Sequence, residues 1–429
     1  MFRMTLVLFL LCASLTIGKD KDPMNSIAGA YVQLVLAVGQ HDADYVDAYY
    51  GPPEWQEKAR AEKKPLTEIQ KAVDGLLSNL HQIGATVRMD EKMTMRHTFL
   101  TRQLQSVVAR VRYLRGEKMS FDEESLALYD GVAPTYPESH FKELIRALDG
   151  LVPGVGSLTA RYEEFRKGFI IPPDKLDAVF TAAINEARRR TKEYVTLPPD
   201  EDFTVEYVTG KSWSAYNWYK GGHRSLIQVN TQLPIYIERA IDLAAHEGYP
   251  GHHVYNVLLE MNLLEKNKWM EFSVYPLFSP QSLIAEGSAN YGKVVAFPAS
   301  DRLRFEKEVL FPLAELDPAG AEKYYQVLEV AARLSYAGNE AARGFLDGKL
   351  TREQARQWLI DYSLYSPERA EQRMKFIEQY RSYVINYNYG EDLVKHYVES
   401  RGGTDDNPMK RWKIFVDLLS SARLASGLQ

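Results

Sequence analysis

Three of the chain's nine histidines fall within the run Ala244-Ala245-His246-Glu247-Gly248-Tyr249-Pro250-Gly251-His252-His253. Imidazole nitrogens and carboxylate oxygens are the usual protein ligands of zinc, and a glutamate directly after a ligand histidine is placed to act as general base in a hydrolysis. In the common form of such a site, His-Glu-x-x-His on one helix, the two histidines stand four apart and share a face. Here the second histidine comes six or seven positions later, which on a straight helix separates the two by about 9 to 10.5 Å along the axis. One ion cannot span that gap with Zn–N bonds of about 2.0–2.1 Å, so the backbone must bulge or break between them. Gly248, Pro250 and Gly251 have the composition for a break: proline lacks a donor and clashes with the carbonyl four residues back, and glycine enters conformations closed to other residues. The competing reading is a helix that ends at Tyr249, with the histidines occupying an ordinary turn.

A catalytic zinc usually takes three protein ligands, so a third is needed. Glu286, in Ile284-Ala285-Glu286-Gly287-Ser288-Ala289-Asn290-Tyr291, is the strongest candidate. Ser279-Pro280 has the form of an N-cap with proline at the first helical position, which puts Glu286 in the second turn, too deep for a capping carboxylate. A carboxylate among Ala, Gly and Ile needs a partner. The isolated His41, His81, His97, His140 and His396 are assigned to structure or surface.

The elements that would position these groups follow from periodicity. From Asn25 to about Leu148 apolar residues recur at three and four, as in Ile69-Val73-Leu76-Leu77-Leu80, and predict amphipathic helices. Tyr49-Tyr50-Gly51-Pro52-Pro53-Glu54-Trp55 predicts an aromatic turn held out of helix. The Gly- and Pro-rich stretches 150–156 and 171–173 flank a short helix and suggest a boundary, giving an N-terminal helical region 19–156 and a catalytic region 157–429. A helix from Asp174 to about Val195 would carry Arg188-Arg189-Arg190 on a solvated face. Residues 203–208 and 225–230 alternate with period two and predict strands. A strand running directly into the metal helix, which Pro234 opens, would suit a peptide hydrolase if its edge pairs with an extended substrate. The remainder is predicted helical, with Glu306, Lys307, Glu308 and the Thr351–Arg356 run exposed. The fold class expected is mainly α with a small β-sheet, an α+β arrangement.

The first 18 residues have a short basic start and an apolar core too short to span a bilayer, followed by Lys19-Asp20-Lys21-Asp22, the pattern of an export signal peptide. Cys12 is the one cysteine and lies inside this segment, so the mature chain would hold no disulfide. A lipid anchor at Cys12 is a weaker alternative because Leu11 precedes it. The location expected is periplasmic or secreted. The net charge of −5, without a basic run, argues against nucleic acid as a partner.

His246-Glu247-x-x-Pro250-Gly251-His252, followed by Glu286-Gly287-x-Ala289-x-Tyr291, resembles the bacterial family catalogued as domain of unknown function 885. The resemblance implies a zincin-like metallopeptidase and selects His252 over His253 as the second ligand, leaving His253 as a neighbour facing substrate. It also implies that Tyr387, in Asn386-Tyr387-Asn388-Tyr389-Gly390, donates to a developing oxyanion. Two positions depart from the family pattern: Ser288 replaces a tryptophan, and Arg381-Ser382-Tyr383 replaces Pro-Gly-Gln. The function expected is thus an exported hydrolase holding one zinc on His246, His252 and Glu286, with Glu247 as general base. Tyr387, Tyr291 or His223 would supply the oxyanion donor, and the substrate would be a peptide. A noncatalytic binding protein with a structural metal, or an amidase or esterase acting on a nonpeptide, is the alternative. Arg224, Arg333 and Arg381 are candidates for pairing with a terminal carboxylate.

Overall fold

The computed structural model describes residues 22–429; the signal segment and Cys12 lie outside them. The long apolar stripes form helices: Leu66–Thr86 buries the single row Ile69, Val73 and Leu80, Asn25–Val38 buries most of its residues, and Glu91–Leu114 buries polar Arg96, Gln103 and Arg110 among its apolar side chains. The 49–55 segment differs from expectation, because Val46–Tyr49 is a strand (β1) and the helix Pro53–Glu62 opens on the second proline, where a missing N–H costs nothing. Among the described residues no helix is long and apolar enough to cross a membrane.

Three strands, β2 (Asp202–Val208), β3 (Ala215–Gly221) and β4 (Arg224–Asn230), form a sheet in the order β2-β4-β3, with β2 parallel and β3 antiparallel to β4. The segment expected to offer an edge to substrate, β4, is therefore central, with both rows of backbone groups already paired. The strand not anticipated, β3, is an edge of the sheet, as is β2, and its Ala215, Tyr216 and Asn217 line a deep cleft. β1 pairs antiparallel with β5 (Val274–Pro276). Asp47, on β1, lines the same cleft.

Helix Pro280–Ala296 is the internal axis. It is buried almost all round, as its run of Ala, Gly and Ser permits. It crosses helix Ile385–Ser400 so closely that a Cβ on Gly287 would stand 2.3 Å from the carbonyl carbon of Gly390. The first of these helices carries Glu286 and the second carries Tyr387, so the glycine contact fixes one against the other. Arg96 and Glu271, both fully buried, form a two-pronged ion pair that ties the early helices to the segment before β5. One continuous apolar cluster runs from Met24 to Leu428.

Glu306 departs from the exposed position expected of it. It is fully buried, at 3.0 Å from Arg302, which also bonds Asp242 and the carbonyl of Glu238. Burial in the presence of Asp242 and Glu238 pushes its carboxyl up to about 8. The arginine run 188–190 is only partly solvated: Arg189 is exposed, whereas Arg190 reaches Ala296 O and Arg188 reaches Glu201.

Candidate metal centre

His246 lies in a widened helical turn, Ala244–Gly248, that continues helix Glu238–Leu243. The helix stops there, the Tyr249–Pro250 peptide is cis, and a new helix, His252–Leu259, begins at the second histidine. The break expected from Gly248, Pro250 and Gly251 is thus present. It works by folding the chain back: the Gly251 N–H donates to Ala245 O at 2.8 Å, and a Cβ on Gly251 would stand 1.9 Å from His246 O.

The two imidazoles meet edge to face, with Nε2 of His252 at 3.1 Å from Nε2 of His246. Glu286 Oε2 lies 3.2 Å from His246 Nε2 and 3.6 Å from His252 Nε2. A tetrahedral ion with bonds of about 2.0–2.1 Å has ligand–ligand edges of about 3.3–3.4 Å. All three separations are close to that value. Glu286 Oε2 is buried without a hydrogen-bond partner, while the other oxygen, Oε1, accepts from Tyr383 OH at 2.7 Å. The His246 Nδ1 stands 3.1 Å from Asn290 Oδ1, an acceptor, which puts the proton on Nδ1 and leaves the Nε2 lone pair free toward the centre. Asn290 is held in turn by Tyr387 O at 2.8 Å. The donor set, its spacing and its tautomer all suit a zinc ion. Among the described residues this is the group of three or more His, Cys, Asp or Glu side chains with converging ligand atoms.

The Glu247 carboxylate is buried 4.0 Å from His246 Nε2, beside the triad rather than within it, and its backbone carbonyl accepts from Asn217 Nδ2 at 2.7 Å. Burial disfavours the ionised form of Glu286, but the facing His252 and His246 outweigh it and hold the carboxyl far below its usual range. Burial lowers His252, and Glu286 more than reverses this, raising it to about 9. Asp47, beside the pair in the cleft, is pushed up to about 6 by burial although Tyr216 OH donates to it.

The cleft around these groups has a volume of about 480 Å³ and is lined by Tyr387 as well as by His246, Glu247, His252 and Glu286. The Tyr387 phenol is raised well above its ordinary value by burial and by Glu286, so it stays protonated and able to donate.

Three residues expected at the site are elsewhere. His253 is fully buried on a different face of its helix, between Ser225 Oγ at 2.9 Å and Glu201 Oε2 at 3.0 Å. It cannot face substrate. Tyr291 is also buried, against Phe415 with ring centroids 6.0 Å apart, away from the cleft lining. His223 occupies the turn between β3 and β4 with φ of 60° and its ring toward Asp200 and Glu265. The arginines proposed for a terminal carboxylate also lie outside the lining: Arg224 pairs with Asp202, Arg381 pairs with Glu124, and Arg333 ends helix Ala321–Ala332.

Several supporting residues were not anticipated. Glu201 bonds Tyr249 OH at 2.5 Å and His253 at 3.0 Å, gripping the break from both ends while Arg188 and Lys192 neutralise it. Asn290 could have been found, since it lies four residues after Glu286 and so on the same helix face. Asp47, Tyr383 and Asn217 carry no local signal.

No protein-family model matches the sequence, and no curated protein matches it. Among solved structures, a candidate lipoprotein from Colwellia psychrerythraea superposes with a TM-score of 0.51 at 15% identity, covering 87% of this chain and 71% of that one. An M32 carboxypeptidase from Deinococcus radiodurans R1 gives a TM-score of 0.49 at 12% identity, with 92% and 89% covered. The first shares the fold at a distance, and at 15% identity the likeness concerns the fold alone.

Proposed function

We propose that this protein is an exported zinc-dependent hydrolase that cleaves peptide bonds, with the zincin-like organisation and the family resemblance inferred from its two sequence motifs. The observation that carries this reading is the convergence of His246, His252 and Glu286 at tetrahedral ligand spacing with the Glu247 carboxylate beside them in an open cleft. Bound zinc would supply Lewis acidity toward a carbonyl and toward water. The chain's own groups do the rest. Glu247 accepts a proton from the attacking water and can return it to the leaving amine. Tyr387 donates toward the oxygen on which charge develops. Tyr383 and Asn290 hold the ligands in orientation. Three ligands rather than four leave a position open, which favours catalysis over a structural metal.

Metal analysis of the purified protein tests this. About one zinc per chain is expected by plasma mass spectrometry, and loss of it in His246→Ala and Glu286→Ala. Wild-type protein that stays empty after exposure to zinc would sink the reading.

The pH dependence of metal uptake is a second check. With its pKa raised to about 9, His252 in the metal-free protein carries a proton at neutral pH that zinc must displace. Apparent zinc affinity should therefore rise about tenfold per pH unit between neutral pH and about 9, with close to one proton released per ion, and level off above. The linkage runs the other way for the metal-free fold. A raised histidine pKa contributes stability that is fully present below its unfolded value of about 6.5 and lost as pH climbs through the folded one. A chelator-competition titration repeated across pH reads the slope, and a flat profile would contradict the assignment of His252.

A further inference from the structure

The cleft that holds the triad is also lined by Arg369 and Arg373. Both lie on helix Pro367–Tyr380, four residues apart and so on one face. The acids of that helix are engaged elsewhere: Glu371 and Glu378 both pair with Arg352, at 2.6 and 2.8 Å, and Glu368 bonds to backbone and to Ser366 at the helix start. Arg369 lies over the Tyr365 ring and Arg373 over the Phe376 ring, each at 4.7 Å, and Arg373 Nε is buried without a hydrogen-bond partner. Among the described residues neither guanidinium forms an ion pair. A buried donor left unmatched is costly, and a planar guanidinium is matched best by a carboxylate or phosphate.

The acids that line this part of the cleft do not cancel the charge. Asp242 is occupied by Arg302 at 3.0 Å and Arg239 at 3.4 Å, and Glu391 is raised by burial against the pull of Lys293. The same arginines bear on the Tyr365 phenol. Burial alone would raise it, yet Arg369, Arg373, Arg239 and Arg166 together bring it below its ordinary value.

A row of rings joins the arginines to the metal ligands. Phe376, under Arg373, is 6.2 Å from Tyr387 between ring centroids; Tyr387 is 5.8 Å from Tyr383; and Tyr383 bonds Glu286. We propose that Arg369 and Arg373 receive the C-terminal carboxylate of a peptide, so that the enzyme cuts near free chain ends. This rests on the peptidase reading above. In the reaction the water oxygen joins the acyl carbon, the C–N bond breaks, and the proton taken by Glu247 passes to the leaving amine. The carboxylate held by the arginines is unchanged.

The test uses zinc-loaded full-length protein carrying Glu247→Gln, so that the probe is not consumed, and measures binding by calorimetry. The probes are N-acetyl-Ala-Phe with a free carboxylate, its C-terminal amide, and N-acetyl-Ala-Glu-amide, which offers only a side-chain carboxylate. The free acid should bind at least about tenfold more tightly than either amide. Adding Arg373→Gln should bring the acid to the level of its amide and leave the amide unaffected, with zinc content and circular dichroism unchanged. Equal binding of acid and amide, no binding of any probe at millimolar concentration, or a preference that survives Arg369→Gln together with Arg373→Gln would overturn the proposal. A Glu-amide probe that matches the acid would overturn the chain-end assignment. Cleavage assays of the unmutated protein separate the two readings. Acid-selective binding without cleavage of any peptide sinks the peptidase reading alone, whereas equal cleavage of acid and amide sinks the carboxylate subsite alone.

Discussion

Replacing Glu247 with Gln should leave zinc in place and lower peptide turnover by about 10²–10⁴, the range general-base catalysis typically supplies. The two halves of this expectation have separate causes. Metal retention follows from geometry, because the Glu247 carboxylate is 4.0 Å from His246 Nε2, beside the three ligands, and its backbone is anchored through Asn217 Nδ2 at 2.7 Å whatever the side chain. Gln keeps the shape and removes the proton acceptor. The loss should fall on kcat and kcat/KM alike, since a proton acceptor acts in the transition state and contributes little to holding substrate. Zinc stoichiometry and steady-state kinetics on the same preparation read both halves. Full turnover with zinc bound would show that Glu247 is not the base, whereas loss of zinc would show that its role is to shape the site.

That His246, a histidine after the Pro-Gly break and Glu286 come together was legible in the sequence, because the local composition leaves few other arrangements. A Pro-Gly pair between two histidines six apart has few structural solutions, and a lone carboxylate in a small-residue helix has few uses. Direction within an element was harder to read. Successive helical residues are turned by about 100°, so with a helix starting at His252 only one of the adjacent histidines can face His246, and composition does not say which. Tyr291 failed for the same reason. Five positions after Glu286 it is rotated by about 140°, while Asn290, at four, shares the face. Glu201 was invisible for another reason: it meets His253 across 52 residues, and no pattern in either segment announces the contact. Glu306 looked like exposed surface because its neighbours are charged, but Arg302 draws it inward to serve Asp242. The edge strand β3 was missed because its aromatic residues occupy both faces and its buried Asn217 breaks the alternation.

Gly251→Ala should cost the protein about 1–3 kcal/mol of stability or more, the range for forcing an extra methyl into packed structure, and should empty the metal site. The added Cβ would stand 1.9 Å from His246 O and 2.4 Å from Ala245 O. Both obstacles are backbone atoms of the turn that carries His246, so neither can swing aside as a side chain would. Relief requires the Tyr249–Gly251 segment to move away from that turn, which pulls His252 from its 3.1 Å approach to His246. Pro250 itself lies close to Gly292 on the helix that carries Glu286, with 3.1 Å between Pro250 Cγ and the position a Cβ would take there, so a shift of the segment also disturbs its packing on that helix. Gly75→Ala is the matched control: it lies inside helix Leu66–Thr86 with nothing within 4 Å of the new methyl, and should be neutral or gain up to about 1 kcal/mol by reducing backbone freedom. Denaturant midpoints and zinc content of the two variants decide the matter. A Gly251→Ala protein with an unchanged midpoint and a full complement of zinc would mean that the close return of the chain onto His246 is not what brings the two histidines together.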